Sequence, residues 1–246
     1  MLGGTFKRDL KGATSTILAG AVTGAGGDGR FYVESEAGQS LGGPVRTDSD
    51  TGAYEVEVPL FCGAQTVKLV WENADCALIV VYELTTDACK TDIRVTLTWN
   101  AYGRDFELHL VKKGGRINDN ATDCTWTSCI GRSPDWGVVG DASDDPSKDV
   151  DNLGSFGPEN IFLRRAPVGR YTVMVEHWGG GDPRADGELT INAGSRKPLV
   201  IRFFNLAPHV VFTAAAIDWP GGAVDVIGDF HDCSANWSGG CRDPIP

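Results

Sequence analysis

Between Asp141 and Asn160 the chain reads DASDDPSKDVDNLGSFGPEN, a run that sets Asp141, Asp144, Asp145, Asp149, Asp151 and Glu159 against a single cation, Lys148. No helical or strand periodicity of apolar residues passes through it. Carboxylates at this density repel one another at short range, and water relieves the repulsion only in part. A fold that contains the segment has two ways to accommodate it. The carboxylates spread into solvent, or a divalent cation sits among them. Calcium suits the second, because it accepts oxygens from side chains and backbone in loose geometry. Asp149 and Asp151 are two apart and share one side of an extended chain. Asn152 adds a neutral oxygen, and Gly154, Gly157 and Pro158 let the chain turn before Glu159.

The remainder reads as an all-β fold of two consecutive antiparallel β-sandwich domains, the second jelly-roll-like. A chain of 246 residues holds one large domain or two small ones. Its 32 glycines and short Val-, Thr- and Tyr-rich segments favour many strands and turns. In GAYEVEVP, Tyr54, Val56 and Val58 alternate with Glu55 and Glu57; in DIRVTLTW, Ile93, Val95, Leu97 and Trp99 alternate with polar residues. Arg104–Val111 places Phe106, Leu108 and Leu110 on one face and Asp105, Glu107 and His109 on the other. Ala77–Tyr82 is nearly all apolar, as a strand buried on both faces would be. It forms a hairpin with Thr66–Trp71 about Asn73–Asp75. Ala37–Ser49 reads as loop, Val210–Trp219 as the last core strand and 221–246 as tail. The boundary falls in the polar joint Thr85–Lys90, giving a spacer over 1–87 and a second domain over 88–246. Lys112 to Asn160 is long for a structureless loop and calls for staples.

Cysteines supply some of these. Seven occur, at 62, 76, 89, 124, 129, 233 and 241. Their spacing lacks the paired C-x-x-C of a structural zinc site. Local disulfides fit better: Cys124 with Cys129, Cys233 with Cys241, and Cys62 with Cys89, whose positions flank the hairpin. Cys76 is the odd one, either buried or an intermolecular link. Disulfides imply an oxidising compartment, hence a secreted or cell-surface protein. The net charge of −11 argues against a nucleic-acid partner. No run is long and apolar enough to span a bilayer. The basic residues Lys7, Arg8 and Lys11 precede a weakly apolar stretch, but Asp9 interrupts them and Leu18–Thr23 alternates like a strand, so a signal peptide is not assigned here.

Two resemblances follow. A strand ending in Gly-x-Val, then Asp50-Thr51-Gly52-x-Tyr54, an alternating strand, and Gly63-x-x-Thr66-Val67 resemble the small Ig-like modules of carboxypeptidase-regulatory and bacterial type. These are spacer and presentation modules. The second half resembles the YfaP-like domain, a family of secreted β-sandwiches of unknown function. The match lies in Asp92–Trp99, Asp105–Leu110, Pro134-Asp135-Trp136-Gly137, Asp144-Asp145-Pro146, Asp149-Val150-Asp151-Asn152, Gly157-Pro158-Glu159-Asn160 and Gly169-x-Tyr171-x-Val173. Glu107 and Asn152 stand where that pattern prefers Asp. The resemblance implies no activity; its acidic motifs suggest calcium.

Joined, these readings predict a calcium site of Asp105, Asp149, Asp151, Asn152 and Glu159, with Glu107 as a substitute for Asp105. Trp126, Trp136 and Trp178 either stack on sugar rings or pack in the core. His109 and His177 lie in strong strands without a third ligand at zinc spacing. There is no Gly-x-Ser-x-Gly elbow and no phosphate loop. The expectation is a non-catalytic structural or adhesive protein meeting protein or glycan at the cell surface, its N-terminal strand edge open to a second copy. A carbohydrate-binding module, and less so a secreted hydrolase, are the alternatives.

Overall fold

The computed structural model describes residues 5–11, 13, 15–23, 27–36, 40–61, 63–72, 77–86, 91–101, 103–131, 134–149, 151–153, 157–179 and 184–241. The fold is all-β and forms two compact units, Met1–Lys90 and Thr91–Pro246.

The first unit contains β1 (Thr5–Asp9), β2 (Ser15–Ala21), β3 (Gly29–Ser35), β4 (Ser40–Val45), β5 (Ala53–Pro59), β6 (Gly63–Glu72) and β7 (Ala77–Thr86). A five-stranded sheet has the order β1-β7-β6-β3-β4, and β2 pairs with β5 separately. Every pairing is antiparallel except β1 with β7, which is parallel. Leu18, Tyr54 and Val58 from the two-stranded layer pack on Phe31, Val33, Val67, Leu69, Trp71 and Leu84 of the sheet. The sheet therefore has one covered face. That corrects the reading of Ala77–Tyr82 as buried on both faces: Leu78, Val80 and Tyr82 pack on the core, whereas Ile79 is 43% exposed. β4 lies within Ala37–Ser49, a stretch that reads as loop, and it contains Gly42 and Gly43. Those glycines are what let it pair: a Cβ at Gly43 would meet the Phe31 ring at 2.6 Å. Cys62, Cys76, Cys89 and the turn at Asn73–Asp75 lie outside the described residues, so the Cys62–Cys89 pairing does too.

The second unit contains β8 (Ile93–Trp99), β9 (Asp105–Lys112), β10 (Asp123–Cys124), the short helix α1 (Trp126–Cys129), β11 (Pro146–Lys148), β12 (Glu159–Leu163), β13 (Gly169–Gly179), β14 (Ala185–Ala193), β15 (Leu199–Leu206), β16 (Val210–Trp219) and β17 (Ala223–Asp232). They make two antiparallel sheets, β10-β9-β13-β16-β17 and β11-β12-β8-β14-β15. Ile93, Val95, Leu97, Leu189 and Ile191 of one meet Phe106, Leu108, Leu110, Val173, Val175 and Ile217 of the other in one core. This is a sandwich. β17 extends it beyond the strand expected to be last, from a segment read as tail. The long connection after β9 is not structureless, since it holds β10, α1 and β11. Both expected local disulfides are present, Cys124–Cys129 and Cys233–Cys241.

Close packing in this core is testable at Gly187 of β14. A Cβ there would come within 2.1 Å of the Phe203 ring, which itself packs on Phe106 and Phe212. Gly187→Ala is expected to lower folding stability by roughly 1–3 kcal/mol through overpacking. An unchanged urea midpoint would contradict the contact.

Candidate functional site

Beyond Asp105, the polar face of β9 is shut off from water. Glu107 is 1% exposed and His109 0%. The cause lies in β10, which pairs with Val111 and Leu110 and then ends at Cys124. Beyond that point β9 has no ladder partner on this side among the described residues. The Leu108 amide donates instead to Glu159 Oε2 at 3.0 Å, across from one sheet to the other. A buried amide must find such a partner. Where β10 gives way to α1, the Thr125 hydroxyl and the Trp126 amide donate to Glu107 Oε1 at 2.5 and 2.9 Å. Lys148, at the end of β11, puts its Nζ against Glu107 Oε1 and 2.8 Å from Glu159 Oε2. The ammonium is thus buried between carboxylates borne on different sheets.

The acidic run is largely consumed by backbone donors. Asp141 Oδ1 accepts from the Ser143 amide and hydroxyl, and its Oδ2 takes Arg165. Asp144 accepts from the Val138 amide and Asp145 from the Trp136 amide. An irregular segment has no neighbouring strand to pair with, and its aspartates act as the missing acceptors.

The expected calcium ligands accordingly divide. Asp149 turns to Asn160, taking its amide at 3.0 Å and its side-chain nitrogen at 2.7 Å, and it faces Arg94 electrostatically. Asn152 donates its amide to Glu159 and its side-chain nitrogen to the Gly157 carbonyl. Asp105, Asp151 and Glu159 do converge, together with Glu107. Oxygens of Glu107, Asp151 and Glu159 lie within 4.8 Å of one another, a spacing that suits a metal. Two of these three residues already hold the Lys148 ammonium, however. The predicted ligands are thus not gathered as one set: Asp149 turns to Asn160, and the Lys148 ammonium lies between Glu107 and Glu159.

The electrostatics reflect this crowding. Burial opposes charge on Lys148, but Glu159 and Glu107 outweigh it and hold the ammonium above the usual lysine range. Burial raises Glu159 to about 8; Lys148 lowers it in part and Glu107 repels it further. Asp105 is pushed up to about 7 by burial, then by Asp151 and Glu107. Burial, followed by Glu107, raises Asp151 as well.

Asp105, Glu107 and Asp151 open onto a cavity of about 180 Å³ walled by Trp126, Trp178 and Leu153. The two indoles meet edge to face, with centroids 5.9 Å apart and planes at 85°. Trp136 is not among them. It is buried on Tyr171 and donates its indole N–H to the Ala121 carbonyl, which settles it as packing. Sequence reading missed Trp237 and His209, which continue the aromatic row from Trp178. Their positions in supposed loop and tail gave no signal.

His109 and His177 serve separate partners. His177 binds the Leu206 carbonyl and stacks on Phe106. His109 lies between Asp123, 2.7 Å from Nδ1, and Glu176, 3.4 Å from Nε2. Glu176 also accepts the Cys241 amide, and Asn118 donates to both Glu176 and the Cys241 carbonyl. This charged group anchors the Cys233–Cys241 loop to the sheet.

No family model and no curated protein matches the chain. None of the described helices is long and apolar enough to cross a membrane.

Burial disfavours a charged His109, but Asp123 and then Glu176 prevail and raise it to about 10 from 6.5. Its contribution to stability is therefore complete below about pH 6.5 and lost as the pH rises through about 10. Denaturation midpoints are expected to fall across that window. His109→Gln should flatten the slope and cost roughly 3–5 kcal/mol at pH 6, as removal of one member of a buried charged group does. A slope identical in the variant would exclude His109 as its source.

Proposed function

We propose that this chain is a non-catalytic structural or adhesive protein of the cell surface or the secreted fraction, in which an ion-stapled β-sandwich presents a rigid surface. One observation carries the reading: Lys148 ties Glu107 on β9 of one sheet to Glu159 on β12 of the other, out of water. Buried charge here is invested in fastening connections. Glu107, Lys148 and Glu159 bind one another, as do His109, Asp123 and Glu176. The two disulfides support an oxidising compartment. The first unit would be the spacer. β1 ends its sheet, paired on the β7 side among the described strands, which supports assembly through the N-terminal edge with a second copy. The surface partner would be a protein or a glycan. Lys148 performs the task that the sequence suggested for calcium.

The cavity at Trp126 and Trp178 favours a second reading, a carbohydrate-binding module. Perpendicular indoles beside carboxylates suit one ring held end-on better than a flat chain laid across a platform. Trp126→Ala would then abolish retention on a glycan array without moving the melting temperature. Retention unchanged by the substitution would remove the cavity from recognition.

Lys148→Met tests the primary reading. It leaves Glu107 and Glu159 buried without a counter-charge and is expected to cost roughly 3–5 kcal/mol. Wild-type melting curves in calcium and in EDTA should coincide. A variant as stable as the wild type would refute the staple, and a clear rise with calcium would return the ion to the site.

A further inference from the structure

We infer that Lys148 and Glu107 become joined by an autocatalytic isopeptide bond, so that the staple between the sheets is covalent in the mature protein. The inference rests on the structural reading above and gives its clamp a chemical end state.

The geometry contains the parts such a condensation needs. The nucleophile, Lys148 Nζ, is fully buried and lies against the Glu107 carboxylate. The acceptor is polarised, because Glu107 Oε1 receives the Thr125 hydroxyl and the Trp126 amide. Those donors stabilise negative charge on Oε1 as the carbon becomes tetrahedral, as an oxyanion hole does. A proton carrier is in place too, since Glu159 Oε2 is 2.8 Å from the same Nζ. Its upward shift keeps the protonated form within reach near neutral pH. Glu107 also lines the cavity beside Asp105 and Asp151, which offers water a way out.

The step balances without a co-reactant. The ammonium passes a proton to Glu159, and the amine attacks Glu107 Cδ. The Nζ–Cδ bond forms and the Cδ–Oε2 bond breaks. Two protons from the original ammonium leave with Oε2 as water, the second also relayed by Glu159. Ammonium and carboxylate thereby become a neutral amide, and Glu159 is regenerated. In water this condensation is unfavourable. In this setting the reactants are ions already stripped of solvent, at a cost that a neutral amide largely escapes. Fixed neighbours also react at a high effective molarity. The carboxylates keep most of the lysine protonated, which slows attack, but each molecule needs only a single turnover.

Intact mass spectrometry of the full-length, fully reduced and alkylated protein tests this. The wild type should be lighter by one molecule of water than the mass calculated for its sequence with every cysteine alkylated. A branched tryptic peptide should link the segments containing Lys148 and Glu107. Lys148→Arg retains the charge but should restore the full mass. Glu159→Gln should do so as well while keeping the wild-type circular dichroism spectrum; a lost water persisting in that variant would overturn the role of Glu159. Wild-type protein at full sequence mass, with both peptides unbranched, would overturn the bond itself. The ionic staple would survive that result, because it is judged separately by the stability of Lys148→Met.

Discussion

Putting an ammonium where water cannot reach it is costly, and a carboxylate there is no better. Lys148 reconciles Glu107 with Glu159, each of which is buried for a backbone reason of its own. Glu107 closes the turn at Thr125 and Trp126, where β10 ends. Glu159 supplies the acceptor that β9 lacks at Leu108. Without the lysine these anions would stand close together in a medium that strengthens their repulsion. The register supports the contact, since Lys148 pairs with Ile161, two residues beyond Glu159 on the partner strand. The ammonium therefore connects the acidic segment, the start of α1 and both sheets.

The same device recurs two residues along β9. At position 107 the strand supplies an acid and a distant segment supplies the cation. At position 109 the strand supplies the cation, and Asp123 and Glu176 supply the acids. Because 107 and 109 share a face, each fastens a covering over what would otherwise be the solvent side of the sheet. One covering is the connection from β9 to β12, and the other is the Cys233–Cys241 loop. A small additional core of Val111, Ile117, Met174 and Val211 lies beneath the latter. The disulfides close short loops within these coverings, whereas the charged groups attach them to the sheet.

Strand alternation made the all-β architecture legible. GAYEVEVP and DIRVTLTW both fall in strands, and both short-range disulfides were readable from spacing. Composition misled where a neighbour's shape was decisive. Ala37–Ser49 reads as loop, yet its Gly42 and Gly43 allow β4 to lie on Phe31 and Tyr32. The alternation of β9 separated Glu107 and His109 from the apolar face, but nothing in its own sequence reveals what will fold over them. The acidic run was harder still. A sequence displays its carboxylates but not the unpaired amides of an irregular chain, so acceptors for Val138, Trp136, Ser143 and Asn160 resembled a cage for an ion. Lys148 was visible as the lone cation in the run, but nothing in the run showed that it would be buried between Glu107 and Glu159.

The division of the acids bears on what the surface can recognise. One ammonium cannot neutralise Asp105, Glu107, Asp151 and Glu159 together, and the excess falls on the outer pair. Asp105 and Asp151 have the raised affinity for protons that follows from partial burial beside Glu107. They front the cavity with Trp126 and Trp178, whose indole faces also favour positive charge. The inner carboxylates serve the fold, and the outer ones bring a negative potential to the cavity as they lose their protons. A ligand settling there gains most by bringing a hydroxyl or ammonium donor, whereas an anion meets repulsion before it meets the tryptophans. The fastening of the sheets and the charge of the cavity thus originate in one cluster, with Glu107 on the boundary between them.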